Sequence, residues 1–135
     1  MGVEPFLVTS AVNMILAQRL ARKVCKECAA PDPDKNVDGL VEAGMSREEA
    51  EAATPMRGQG CKVCNEMGYK GRVALYEVMV LDEALKDLIL QGASTAELKH
   101  EAIRLGMITL RRAGLNKVIE GMTTLEEVTR VTAAD

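Results

Sequence analysis

Cys25-Lys26-Glu27-Cys28 and Cys61-Lys62-Val63-Cys64 form two C-x-x-C pairs separated by 32 residues, and together they use all four cysteines of the chain. Two residues between cysteines let both sulfurs of a pair turn toward one point. Two such pairs supply the four soft thiolates that a tetrahedral Zn2+ accepts at about 2.3 Å each. A single C-x-x-C also serves redox enzymes, so disulfide or redox use and an iron–sulfur or other metal centre are the competing chemistries. Four thiolates leave no open position for water or substrate. The expectation is therefore one structural zinc ion on Cys25, Cys28, Cys61 and Cys64, not a catalytic one.

The residues around the second pair favour a tight knuckle. Gly60, Gly68 and Gly71 allow positive φ angles, so backbone N–H groups can point at the sulfurs. Lys62, Lys70 and Arg72, with Lys23 and Lys26 beside the first pair, would partly offset the double negative charge of four thiolates around a dication. Arg19, Arg22, Lys23 and Lys26 follow one another without an intervening acid. The plain account of that run is a solvated surface; the sharper one is contact with an anionic partner or lipid headgroups.

Other chemistry is sparse. The chain contains no phosphate loop of the form G-x-x-x-x-G-K-[ST], no G-x-G-x-x-G fingerprint and no H-E-x-x-H helix. His100, the single histidine, stands between Lys99 and Glu101 on an expected helix and reads as an ordinary surface residue. The acids fall on helix caps and polar faces, and no catalytic residue is assigned. The eight methionines read as core filler.

These residues must be positioned by a chain of 135 residues that is 47% hydrophobic but only 2% aromatic. Its core must be Leu, Val, Ile, Met and Ala, which favours helices packed on helices with help from a metal. A net charge of −3 and the near absence of stacking aromatics argue against a nucleic-acid module. No apolar run approaches the roughly 18–20 residues needed to span a bilayer. Met1 to Leu20 has no basic stretch ahead of its apolar residues, so no secretory signal is expected. Reduced, paired cysteines suit the cytoplasm.

The fold expected is α+β and mostly α: a small helical bundle with a short strand pair and a tetracysteine zinc-binding loop. Pro5 fits the first turn of a helix. Met14 to Lys23 reads as a strand leading into Cys25, and Arg72 to Leu81 as a second strand that could pair with it and bring the cysteine pairs together. Between them, Pro31, Pro33 and Pro55 bracket an acidic excursion with two expected short helices. The first spans Val37 to Ala43; the second opens at the capping box Ser46-Arg47-Glu48-Glu49. Its acidity reads as a solvated face. After Asp82 the chain reads as helices opening at Asp82, Ser94, Thr109 and Thr123-Thr124, each closed by glycine or the next cap, and these should pack into one bundle. Residues 1–24, 25–71 and 72–135 are the expected divisions: a helix/strand segment, the tetracysteine insertion, and a strand with its helical bundle.

In order along the chain, these residues resemble a known family. Gly2-Val3-Glu4-Pro5-Phe6-Leu7-Val8 and Ala17-Gln18-Arg19-Leu20 run into Cys25-x-x-Cys28. Then come Gly60-Cys61-x-x-Cys64, Gly68-Tyr69-x-Gly71-Arg72, Tyr76-Glu77-Val78, Gly106-Met107, Gly114-Leu115-x-Lys117-Val118 and Gly121-x-Thr123-Thr124-Leu125-Glu126-Glu127-Val128. The whole is similar to the C-terminal part of bacterial secretion ATPases, the GspE/PilB-like motors of type II secretion and type IV pilus assembly, with the pilus branch preferred. The resemblance implies a hexameric ATP-hydrolysing ring whose ATP and Mg2+ sites lie N-terminal to this segment. It also implies zinc ligation by the four cysteines, with neighbouring motor subunits and an inner-membrane platform protein as partners. The place implied is cytoplasmic, peripheral to the inner membrane. Arg22, Lys23, Lys26, Lys62 and Lys70 then become a candidate docking surface for the platform. The alternative reading is a free-standing zinc-ribbon adaptor that binds proteins with no motor attached.

Overall fold

A computed structural model describes residues 14–133. The helix expected at Pro5 lies outside the described residues. Within them the chain is mixed α+β. Strands β1 (Met14–Val24), β2 (Ala29–Pro31), β3 (Met56–Gly58) and β4 (Tyr69–Val80) pair as two ribbons, β1 with β4 and β2 with β3. Helices α1 (Val37–Ala43) and α2 (Arg47–Ala52) lie between β2 and β3 in sequence. Helices α3 (Glu83–Leu90), α4 (Thr95–Arg104), α5 (Leu110–Ile119) and α6 (Leu125–Val131) follow β4.

The β1–β4 pairing matches the sequence expectation, but the strands are 11 and 12 residues long, not short. The second ribbon was not foreseen. It is antiparallel, with Ala29 opposite Gly58 and Pro31 opposite Met56. Three-residue strands carry too little alternation to read from sequence.

Contacts divide the described residues into two compact units, 14–17 with 77–109 and 18–76 with 110–133. The expectation of one C-terminal bundle is therefore corrected. In the first unit, α3 and α4 pack around Leu81, Leu85 and Ala102. Asp82 accepts from the Leu85 N–H at 3.0 Å and Ser94 from the Glu97 N–H at 3.2 Å, starting the two helices as the sequence indicates.

In the second unit, α5 and α6 pack on the acidic excursion instead. Leu40, Met45 and Ala50 from α1, α2 and their junction share one core with Leu115, Val118 and Val128. Gly114 permits this approach, because a Cβ there would stand 2.6 Å from a Val128 methyl. Ser46 and Glu49 form the full capping box. Glu49 also pairs with Arg112 of α5, so the excursion is tied to the helices by charge as well as by apolar contact. Arg111 is buried, and its guanidinium donates to the Thr132 carbonyl at 3.0 Å and the Ala43 carbonyl at 3.3 Å. It thus closes the C-terminal ends of α6 and α1, where the helix dipoles favour a cation.

Candidate metal centre

Four strand ends converge on the cysteines. β1 delivers Cys25 directly after Val24, and β2 begins directly after Cys28. β3 ends three residues before Cys61, and β4 begins directly after Gly68. The Ala29–Gly58 pairing therefore sets the turns carrying Cys28 and Cys61 side by side. Cross-links lock this arrangement: the Cys25 N–H donates to the Gly68 carbonyl at 2.9 Å and the Gln59 N–H to the Cys28 carbonyl at 3.2 Å.

The second knuckle is built by consecutive left-handed residues. Asn65 and Glu66 have φ of 55° and 63°, and Gly68 follows at 82°. This curl lets the Glu66 N–H reach the Cys61 carbonyl at 2.8 Å and the Met67 N–H reach the Cys64 carbonyl at 3.1 Å. A non-glycine pair at positive φ carries backbone strain, and such strain concentrates at functional sites. Gly58 and Gly68 cross backbone to backbone. A Cβ on Gly68 would lie 2.6 Å from the Gly58 carbonyl oxygen, and one on Gly58 would strike the Gly68 carbonyl.

All four Sγ atoms lie within 4.8 Å of one another. Cys25 to Cys61 and Cys28 to Cys64 are each 3.8 Å, and Cys61 to Cys64 is 3.7 Å. These separations are far too long for a disulfide bond. These three match the edges of about 3.8 Å that arms of about 2.3 Å give around one tetrahedral ion, and the remaining separations stay within 4.8 Å. Cys25 and Cys64 are buried, and Cys28 and Cys61 are half-buried.

Backbone donors favour the ionised form. The Gly60 N–H points to Cys28 Sγ at 3.3 Å, and the Cys61 and Gly68 N–H groups to Cys64 Sγ at 3.3 and 3.2 Å. Burial pushes the Cys64 thiol up, but the Gly68 and Cys61 amides and the neighbouring thiols outweigh it and hold the group down to about 6. Burial dominates at Cys28, with the neighbouring thiols adding to it, and raises that thiol to about 11 despite the Gly60 amide. The cluster is thus asymmetric, and Cys64 loses its proton more readily than Cys28. The four cysteines can hold a metal ion.

The other sequence-marked residues separate. Lys23, Lys26 and Lys70 line one cavity of about 230 Å³ beside Cys25. Arg22 lines a different cleft with Arg72 and Arg130, and Lys62 is exposed on the second knuckle. His100 is exposed on α4. Sequence reasoning missed Gly58, whose role depends on a crossing with Gly68 that no local pattern encodes. It placed the last capping box on Thr123-Thr124-Leu125-Glu126, one residue before the cap at Thr124. Thr124 does accept from the Glu127 N–H at 3.2 Å, but the Glu127 carboxylate turns away to Arg22 and Arg130.

Residues 1–130 match the family described as Type II/IV secretion system protein. The chain is 52% identical over its full length to the type IV pilus assembly ATPase PilB of Myxococcus xanthus, of which it covers 24%. It is 44% identical over 95% of its length to the protein of the same name from Thermus thermophilus, covering 14% of that relative. It is 42% identical over its full length to the type II secretion system protein E of Aeromonas hydrophila, covering 26%. The chain therefore spans about a quarter of the length of two of these relatives and less of the third.

Proposed function

The chain belongs to the type II/IV secretion system protein family, and from that premise we propose that it is a structural, non-catalytic subdomain of a secretion motor, organised around one zinc ion. The observation that carries the zinc reading is the convergence of the Cys25, Cys28, Cys61 and Cys64 sulfurs within 4.8 Å of one another, with three of the separations at 3.7–3.8 Å. Four thiolates around a single point suit Zn2+ and leave no position for substrate. The ion's contribution is to the fold. It joins the ends of β1 and β4 to the turns flanking β2 and β3, and so fixes the acidic excursion to α5 and α6.

The pilus-assembly branch is the reading favoured by the 52% and 44% identities to the PilB proteins of Myxococcus xanthus and Thermus thermophilus, against 42% to the Aeromonas hydrophila type II secretion protein. ATP and Mg2+ chemistry is assigned to the part of those ATPases that this chain does not span, since the chain carries no phosphate loop. In the full motor the segment would sit in a hexameric ring against neighbouring subunits and face the inner-membrane platform protein from the cytoplasm. Among the described residues no helix is long and apolar enough to cross a membrane.

Elemental analysis of the purified chain, paired with a phosphate-release assay, tests both halves. One zinc per chain and no ATP turnover are expected. Four free thiols without stoichiometric metal, in an intact fold, would remove the zinc reading. Measurable turnover would remove the non-catalytic one. Sequencing the gene in frame upstream of Met1 separates a motor from an adaptor, since only the motor encodes a phosphate loop.

A further inference from the structure

Arg22 of β1, Arg72 of β4 and Arg130 of α6 line one open cleft of about 520 Å³, with Leu20 at its side. Two of them, Arg22 and Arg130, pair with Glu127, whose side chain is only 2% exposed. Its oxygens are fully engaged. Oε2 accepts from the Arg22 backbone N–H at 2.9 Å and Arg130 Nη2 at 2.7 Å; Oε1 accepts from Arg22 Nε and Nη2 and Arg130 Nε at 2.8–3.1 Å. Arg22 also rests over the Tyr69 ring, 4.3 Å from its centroid. Nη1 of Arg22, Nη1 of Arg130 and the whole Arg72 guanidinium have no partner among the described residues.

Three guanidiniums against one carboxylate leave a local excess of two positive charges. Glu127 already occupies the place a carboxylate would take between Arg22 and Arg130. The remaining N–H donors come from three different elements around the cleft, an arrangement that a planar carboxylate with two oxygens meets poorly. A tetrahedral oxyanion with three terminal oxygens and up to two negative charges can offer an acceptor to each of the three guanidiniums and balances their excess charge. We propose that the Arg22–Arg72–Arg130 cleft is a binding site for a phosphate group, free or esterified. Glu127 acts there as a positioning residue, holding two of the guanidiniums at fixed angles so that little side-chain order must be gained on binding.

The decisive variant is Arg72→Gln. Arg72 lies outside the Glu127 grip, so its loss should leave the melting temperature unchanged. In the purified chain at low ionic strength, titration with inorganic phosphate is followed through the arginine Nε–H signals, with matched chloride as the control. Saturable shifts at Arg22, Arg72 and Arg130 are expected, weakened roughly tenfold by Arg72→Gln, as the loss of one charge-assisted hydrogen-bonding group implies. Flotation with phosphatidylglycerol against phosphatidylcholine vesicles identifies the source. Capture by the anionic vesicles that Arg72→Gln abolishes assigns the phosphate to a lipid headgroup, and phosphate titration without capture assigns it to a soluble ligand. The proposal is overturned by shifts spread evenly over surface arginines and lysines, by equal binding in Arg72→Gln, or by response to a poly-glutamate peptide but not to phosphate. Silence in both the titration and the flotation overturns it as well.

Discussion

Glu127 of α6 holds Arg22 of β1 across 105 residues of sequence, through the backbone N–H at 2.9 Å and the guanidinium at 2.8 and 3.0 Å. Thr123 Oγ1 adds a bond to the Arg22 carbonyl at 2.7 Å, and the Val24 N–H donates to the Met122 carbonyl at 2.9 Å. The strand that ends at Cys25 is therefore anchored to the start of α6 by both main chain and side chain.

Glu127→Ala should destabilise the unit that contains it. Removing the carboxylate strands the Arg22 N–H and releases two guanidiniums. Those guanidiniums remain 44% and 56% exposed, so water compensates part of the loss. A cost of about 1–3 kcal/mol is expected, below the figure for a fully buried pair. Urea unfolding of the chain and the variant at neutral pH measures it. A change within about 0.5 kcal/mol, the range of ordinary surface substitutions, would show that the grip does not stabilise the fold.

The same carboxylate predicts a pH dependence. The Arg130 hydrogen bonds, opposed by burial and reinforced by Arg22, hold Glu127 down to about 2 from its ordinary 4.5. Arg112, with the Ser46 amide, likewise holds Glu49 down to about 2. A carboxylate depressed in the folded state contributes stability that is fully present above its unfolded value and is lost as pH falls through the folded one. Stability should thus decline from about pH 4.5 toward pH 2 through these two groups. Loss of metal in acid acts on chain and variant alike, so the difference between the chain and a Glu49→Gln/Glu127→Gln variant isolates their share. Parallel stability curves through that window would contradict the assignment.

What could be read in advance followed from how local each signal was. The cysteine pairs, the caps at Ser46, Asp82 and Ser94, and the pairing of β1 with β4 rest on spacings of a few residues or on strand composition, and all are present. Packing between distant segments was not legible. Leu115 and Val128 carry the same helical spacing whether they face α3 and α4 or the acidic excursion, so the core they share with Leu40 appeared only in three dimensions. Glu127 had the right position for a capping box and was claimed instead by an arginine in another part of the sequence. Arg111 likewise gave no hint that it would close two helix ends.

Metal removal should unfold the chain unevenly. Burial of Leu81, Leu85 and Ala102 supports α3 and α4 without any contribution from the cysteines. The turns at Cys25–Cys28 and Cys61–Gly68 depend on the four sulfurs, three backbone N–H···S contacts and two very short strands. A structural zinc is worth on the order of 10–16 kcal/mol in small peptides, as much as a typical domain's whole stability. Hydrogen exchange after chelation should show rapid exchange at Gln59, Gly60, Cys61 and Gly68 while the amides of α3 and α4 stay protected. Uniform protection across all these amides would mean that the knuckles need no ion.

Gly58→Ala tests whether the knuckles depend on the crossing of two glycines. Gly58 ends β3 opposite Ala29, and its Cα faces the Gly68 carbonyl. Gly68 in turn donates its N–H to Cys64 Sγ at 3.2 Å and accepts from the Cys25 N–H at 2.9 Å. A methyl group at position 58 has no flexible neighbour to displace, because what it meets is backbone. Either β3 moves away from β2, or Gly68 moves and loosens its bonds to one cysteine of each pair. Overpacking of this kind costs about 1–3 kcal/mol, and backbone donors that support metal-bound sulfurs influence affinity by roughly 10–100-fold. Competition against a chromophoric chelator should therefore show weaker zinc binding in Gly58→Ala, together with a lower melting temperature for the metal-bound chain. Unchanged zinc affinity would place the glycine crossing outside the determinants of the metal centre, and the sulfurs would then owe their positions to the strand ends alone.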